Sequence, residues 1–136
     1  MNYLFDTDTC ISLLDGRDPD KQQNILTHLE QLHRPEIFLS TVTVSELSFG
    51  VENSRFRKAN LAALDAFLLD FRVIPFDETA AREAGRVRAE LEKKGQRIGA
   101  LDTLIAAHAK SRGLPVVTNN MADFSRVRGL KVENWS

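Results

Sequence analysis

Tyr3-Leu4-Phe5-Asp6-Thr7-Asp8-Thr9 sits at the start of the chain, three apolar residues running straight into two acids. A short, continuous apolar run closed by polar residues suits a parallel strand covered on both faces. Similar runs recur at Ile37-Phe38-Leu39, Val73-Ile74 and Val116-Val117, with a weaker one at Leu130–Val132. The intervening segments carry helical spacing instead. Ile25, Leu29 and Leu32 form one stripe, and Leu61, Leu64, Leu68 and Phe71 a second. Ala80, Ala84, Val87 and Leu91 form a third, and Leu101, Leu104, Ile105 and His108 a fourth. Asp18-Pro19 reads as an N-cap followed by proline at the first helical position. Asp77 and Ser54 are candidate N-caps, and Gly95 and Gly113 stand where helices stop. Strands alternating with amphipathic helices specify an α/β fold with a mostly parallel sheet.

Composition agrees with a soluble, single-domain reading over residues 1–136: hydrophobic residues are 43% and charged residues 27%. No apolar run is long enough to span a bilayer, so no membrane partner is expected. The first residues lack the basic start and long apolar stretch of a secretory signal. The one cysteine, Cys10, excludes an internal disulfide and suits a reducing cytoplasm. A net charge of −1 argues against a protein that coats duplex DNA. Bound divalent cations would change that balance locally.

In an open parallel sheet, ligands gather beyond the carboxyl ends of the strands. Acids stand there repeatedly. Asp6 follows the first run, Glu46 lies in Ser40-Thr41-Val42-Thr43-Val44-Ser45-Glu46 after the second, and Asp123 follows the Val116-Val117 run. Asp102 opens the helix ahead of that run. Clustered carboxylates repel unless protons or a cation neutralise them. An all-oxygen set with few histidines favours Mg²⁺ or Mn²⁺ over Zn²⁺. Such ions suit attack on a phosphodiester.

Each acid also has a structural explanation. Of the first pair, Asp8 is the better placed to cap a helix near Thr9, which leaves Asp6 for function. Thr43-Val44-Ser45-Glu46 fits a capping box, an even contest with a functional Glu46. Asp102 suits a first-turn acid on the helix dipole, and Asp123 taken alone suits a loop cap. His108 lies on an apolar stripe and is read as a packed, hydrogen-bonded residue; none of the three histidines looks catalytic. Thr118 and Ser40 are hydroxyls of a kind common after strands. Most basic residues are read as solvated helix faces, with Lys94 and Arg97 as candidates for contact with phosphates.

Taken in order, these segments resemble the motifs of the PIN-domain nucleases, and more closely those of the VapC toxins. Leu4-Phe5-Asp6-Thr7-Asp8-Thr9-Cys10-Ile11 is similar to the first acidic motif and Ser45-Glu46-Leu47-Ser48-Phe49-Gly50 to the second. Ile98–Ala109, with Asp102, is similar to the third and most specific, and Val117-Thr118-Asn119-Asn120 with Asp123-Phe124 to the fourth. The resemblance covers the chain almost end to end. It implies a three-layer α/β/α sandwich around a short parallel sheet, and an endoribonuclease using Mg²⁺, with Mn²⁺ as a substitute. It also implies a VapB-like antitoxin partner, seated in a groove between two helices, and a homodimer.

Carried over residue by residue, Asp6, Glu46 and Asp102 form the acidic triad. Asp6 and Asp102 contact metal, and Glu46 binds a second ion or orients the attacking water. Asn120 stands where many relatives have an acid, leaving the fourth place to Asp123 or Asn120. The ending Gly129–Ser136, with Asn119-Asn120, is most similar to the branch that cuts initiator tRNA in its anticodon loop. Two other functions compete. Phe5-Asp6-Thr7-Asp8-Thr9 also matches the first motif of haloacid-dehalogenase phosphatases, with Asp6 as nucleophile and Asp8 as acid/base, but no late acidic pair accompanies it. A catalytically idle PIN-like binding module is the third.

Overall fold

The computed structural model describes all residues from Met1 to Ser136. Its elements run β1 (Asn2–Phe5), α1 (Thr7–Asp15), α2 (Pro19–Glu30), β2 (Glu36–Ser40), α3 (Thr41–Glu52) and α4 (Arg57–Leu68). There follow β3 (Arg72–Ile74), α5 (Glu78–Lys93), α6 (Ala100–Ser111), β4 (Val116–Val117), α7 (Met121–Phe124) and β5 (Val132–Glu133). The strands form one sheet in the order β3-β2-β1-β4-β5, with every neighbouring pair parallel. Leu4 pairs with Phe38 on one side and Val116 on the other, so β1 is the central strand.

Period-2 alternation divides the strands between two cores. Leu4, Phe38, Ile74 and Val116 face one layer, with Ala84, Val87 and Leu91 of α5, Ile105 and Ala109 of α6, and Phe124 of α7. Tyr3, Phe5, Ile37, Leu39 and Val117 face the other, with Cys10, Ile25, Leu47, Val51 and Leu64 from α1 to α4. The result is the parallel α/β fold expected from the apolar runs, in the three-layer α/β/α form that the family resemblance implies. Trp135 closes the second layer: its ring stacks on His28 at 4.1 Å and meets Tyr3 and Phe5 edge-on at 4.8 and 5.4 Å.

Helix punctuation follows the expectations at Asp18, Asp77, Gly95 and Gly113 but not at Ser54. Asp18 and Asp77 accept from the backbone N–H groups of Lys21 and Ala80 as N-caps, and Pro19 occupies the first turn. Gly95 and Gly113 take φ of +65° where α5 and α6 end, a conformation that glycine adopts without a Cβ penalty. Ser54 is not the cap of α4. That helix starts after Phe56 with no side-chain cap, and the Ser54 hydroxyl instead donates to the Val51 carbonyl at 2.6 Å. Leu32 and Phe71 lie just past the ends of α2 and α4 and still pack into the second core. The last strand falls at Val132–Glu133, later than the Leu130–Val132 run, although Leu130 and Val132 both pack against the first core.

This topology positions the site. From β1 the chain passes to β2 and β3 on one side, and β4 then returns to the other flank of β1. The order reverses there, and a crevice opens beyond the carboxyl ends of β1 and β4.

Candidate functional site

Asp6 stands at the floor of that crevice, 1% exposed, directly after β1. It is itself the N-cap of α1: its Oδ1 accepts from the Thr9 N–H at 2.9 Å. Capping therefore falls to Asp6 rather than to Asp8, which lies exposed in the first turn. The other carboxylate oxygen accepts from the Thr118 hydroxyl at 2.5 Å, at the end of β4. Thr118 Oγ1 in turn accepts from the Asn120 N–H at 2.9 Å. Burial raises the Asp6 carboxyl from its ordinary 3.8 to about 6, against the lowering effect of hydrogen bonds from Thr118 and Thr9; the nearby charge of Asp8 adds to the rise. One side chain thus caps a helix and carries a carboxyl that takes up a proton more readily than an exposed one.

Glu46 arrives from α3, and the capping box expected there does not form. The strand β2 runs on to Ser40, whose hydroxyl accepts from the Val42 N–H and caps the helix, so Thr43 and Glu46 fall inside it. The Glu46 carboxylate is turned to α1, where Oε1 accepts from the Thr7 hydroxyl at 2.6 Å. Thr7 Oγ1 also lies 3.2 Å from the Oγ1 of buried Thr43. Neither Thr7 nor Thr43 was expected to take part. Thr7 stands between Asp6 and Asp8, and Thr43 stands three residues before Glu46, where it reads only as a cap.

Asp102 occupies the first turn of α6, so its dipole role holds, but it also faces other acids. Its carboxyl is raised first by burial and then by the charges of Asp8, Glu46 and Asp123, with the Asn120 side chain pulling the other way. Asp123, in the first turn of α7, accepts from Asn120 Nδ2 at 3.0 Å and lies 3.8 Å from Arg126. The two candidates for the fourth place are thus partners. Asn119 Nδ2 donates to Ser12 at 3.1 Å, joining this loop to α1.

Asp6, Glu46 and Asp102 have no cationic side chain paired with them, although ten ion pairs are formed elsewhere. No three of the acids close into a ready-made ligand cage. The charge of Asp8 nevertheless raises both Asp6 and Asp102, the charges of Glu46 and Asp123 also raise Asp102, and every donor is a hard oxygen. That set fits a hard divalent cation, which would supply the missing positive charge. Asp6 and Asp102 are the residues that would hold such an ion, and Glu46 lies close enough for its charge to act on Asp102.

Lys94 and Arg97 are exposed and engaged with Glu90 at 3.1 Å and Glu92 at 3.8 Å. His108 is buried, with Nδ1 2.7 Å from Ser40 Oγ, a packed histidine as expected.

A three-layer parallel α/β fold with an unpaired acid cluster at its switch point defines a carboxylate-based, divalent-metal site. The PIN domain model matches residues 3–130, and the chain belongs to the PIN-domain family, in its VapC group. PIN-domain nucleases are divalent-metal dependent. The tRNA(fMet)-specific endonuclease VapC of Shigella flexneri is 36% identical over 136 residues, covering 100% of this chain and 99% of that protein. A DNA-bound VapBC from Salmonella typhimurium superposes with a TM-score of 0.89 at 36% identity, covering 100% and 99%. VapBC2 from Rickettsia felis, bound to a fragment of its promoter, superposes with a TM-score of 0.88 at 35% identity, covering both chains fully.

Proposed function

We propose that residues 1–136 form one PIN domain acting as the toxin of a toxin–antitoxin pair. It is an Mg²⁺-dependent cytoplasmic endoribonuclease, able to use Mn²⁺, that cuts initiator tRNA in the anticodon loop. The observation that supports this is that Asp8 acts on both Asp6 and Asp102, that Glu46 and Asp123 also act on Asp102, and that no cationic side chain pairs with Asp6, Glu46 or Asp102. The substrate follows the Shigella relative, which is similar along its whole length.

When bound, the ion lowers the pKa of a water and offsets charge building on the phosphoryl oxygens. The protein does the rest. Asp6, fixed by Thr9 and Thr118, holds one side of the centre, and Asp102 holds the other from the first turn of α6. Glu46, oriented by Thr7, aims the attacking water along the line of the leaving ribose oxygen. In-line attack leaves a 5′-phosphate and a 3′-hydroxyl. Asp123 and Asn120 border the cleft, with Asp123 in the fourth acidic place.

The partner is an antitoxin protein, as in the VapBC relatives. Its segment takes a groove of about 450 Å³ between α1, α3 and α4, lined by Ile11, Leu14, Leu47, Val51 and Leu64 and ending at Glu46. The α2 stripe, in contrast, is spent on the core beneath Trp135.

No observation favours the phosphatase. Asp8 is exposed, and Glu46 and Asp102 would have no task. The test is incubation of the purified chain with initiator tRNA in Mg²⁺, in Mn²⁺ and in EDTA, with end-group analysis. Metal-dependent cutting to 5′-phosphate ends supports the proposal. Ends carrying 2′,3′-cyclic phosphate signal attack by the ribose hydroxyl and refute the mechanism. Intact tRNA beside cleavage of another RNA refutes the substrate.

A further inference from the structure

We propose that His108 is a positioning residue: its contact with Ser40 pins α6 to the first turn of α3 and so sets Asp102 against Glu46. The proposal rests on the acid centre described above.

His108 is 1% exposed and Ser40 is fully buried. Nδ1 lies 2.7 Å from Ser40 Oγ, a contact between residues 68 apart in the chain. Ser40 is not a passive neighbour. It is the N-cap of α3, accepting the Val42 N–H at 3.1 Å. The strut therefore ends on the group that starts the helix carrying Glu46.

The spacing is equal on the two sides. Glu46 follows Ser40 by six residues and His108 follows Asp102 by six, about 9 Å of helix each. The two acids still sense each other's charge. A small rotation of either helix about this pin would carry its acid out of register with the other, and displacements near 1 Å at such centres cost up to about 100-fold in rate.

A histidine kept only to fill space would be a poor choice here. Its Nε2 is buried without a well-formed hydrogen bond, although the Pro75 backbone also acts on the ring, and an apolar side chain has no such requirement. The ring packs edge-on against Phe76 at 5.3 Å, so an apolar replacement would have a suitable neighbour. Burial lowers the pKa of the ring and keeps it neutral at pH 7. The feature that leucine could not supply is the bond to Ser40.

The test measures Mn²⁺ binding by calorimetry, RNA cleavage and urea unfolding for the wild type, H108L, H108N and D102N. H108L should unfold at a urea concentration close to that of the wild type, because loss of the poorly satisfied nitrogen offsets the buried Ser40 hydroxyl left without its partner. It should nevertheless bind Mn²⁺ about ten-fold more weakly and lose about ten-fold in kcat with little change in KM. H108N places an amide where Nδ1 was and should recover to within about three-fold of the wild type. Should H108L fail to fold, H108Q replaces it; its amide reaches the Nε2 position instead and should show the same loss.

Wild-type Mn²⁺ affinity and kcat in folded H108L or H108Q would overturn the proposal, as would H108N no better than they are. Loss of Mn²⁺ binding in D102N alone would leave the acid centre standing and remove only the strut. A wild type that binds no Mn²⁺ would overturn both.

Discussion

The Thr7 hydroxyl donates to Glu46 Oε1 across 2.6 Å, tying the first turn of α1 to the middle of α3. Buried Thr43 completes the group at 3.2 Å from Thr7. Thr7→Val keeps the shape of the residue but strands one hydroxyl and frees the carboxylate. The expected cost is about 1–3 kcal/mol in urea unfolding and about ten-fold in cleavage rate. Thr7→Ser should restore most of both. Unchanged cleavage in Thr7→Val would mean that Glu46 needs no orientation from α1.

Asp6 makes stability depend on pH in a defined direction. Its carboxyl is raised to about 6 in the fold from an ordinary 3.8. A raised acid favours the protonated fold, so its contribution is complete below pH 4 and is lost as pH rises through 6. In EDTA, the protein should lose about 1–3 kcal/mol from this group between pH 4.5 and 7.5, and Asp6→Asn should remove that slope. Adding Mg²⁺ should restore stability at pH 7.5 but not at pH 4.5, where protons compete for the site. Parallel pH profiles for wild type and Asp6→Asn would contradict this.

Asp123 and Asn120 share a hydrogen bond of 3.0 Å beside the cleft. Asp123→Asn should weaken Mg²⁺ binding by about ten-fold, the usual size of an outer-contact effect. Asp102→Asn should abolish it. Calorimetric titration ranks the two directly, and equal losses would place Asp123 among the direct ligands.

Trp135, 4% exposed, is the one tryptophan in the chain and joins the chain end to β1 and α2. Trp135→Ala should cost about 3–5 kcal/mol. Its fluorescence provides the readout in the wild type, and circular dichroism the readout in the variant. A loss below about 1 kcal/mol would show that the chain end is not part of the core.

The layered fold could be read from the chain because buried parallel strands appear as short apolar runs, and Tyr3–Phe5 and Ile37–Leu39 mark the two longest. The acids were visible for a related reason: each stands where a strand ends or the next helix starts. What stayed hidden was pairing across distance. Thr7 and Glu46 are 39 residues apart, and Ser40 and His108 are 68 apart. Local chemistry also misled where two caps were available. Ser40 and Thr43 both precede apolar helical residues, and the end of β2 at Ser40 decided between them. At Ser54 the hydroxyl found a carbonyl three residues back, and α4 begins at Arg57, with Phe56 in the N-cap position and no side-chain cap.

The most direct measurement is the rate of initiator-tRNA cleavage in Mg²⁺ by the wild type, Asp8→Asn, Glu46→Gln and Asp102→Asn, each shown to be folded and free of antitoxin. Glu46→Gln and Asp102→Asn should each lose at least about 100-fold, while Asp8→Asn stays within about ten-fold of the wild type. Cleavage that survives Glu46→Gln and Asp102→Asn but vanishes in Asp8→Asn would contradict a nuclease centred on Asp6, Glu46 and Asp102.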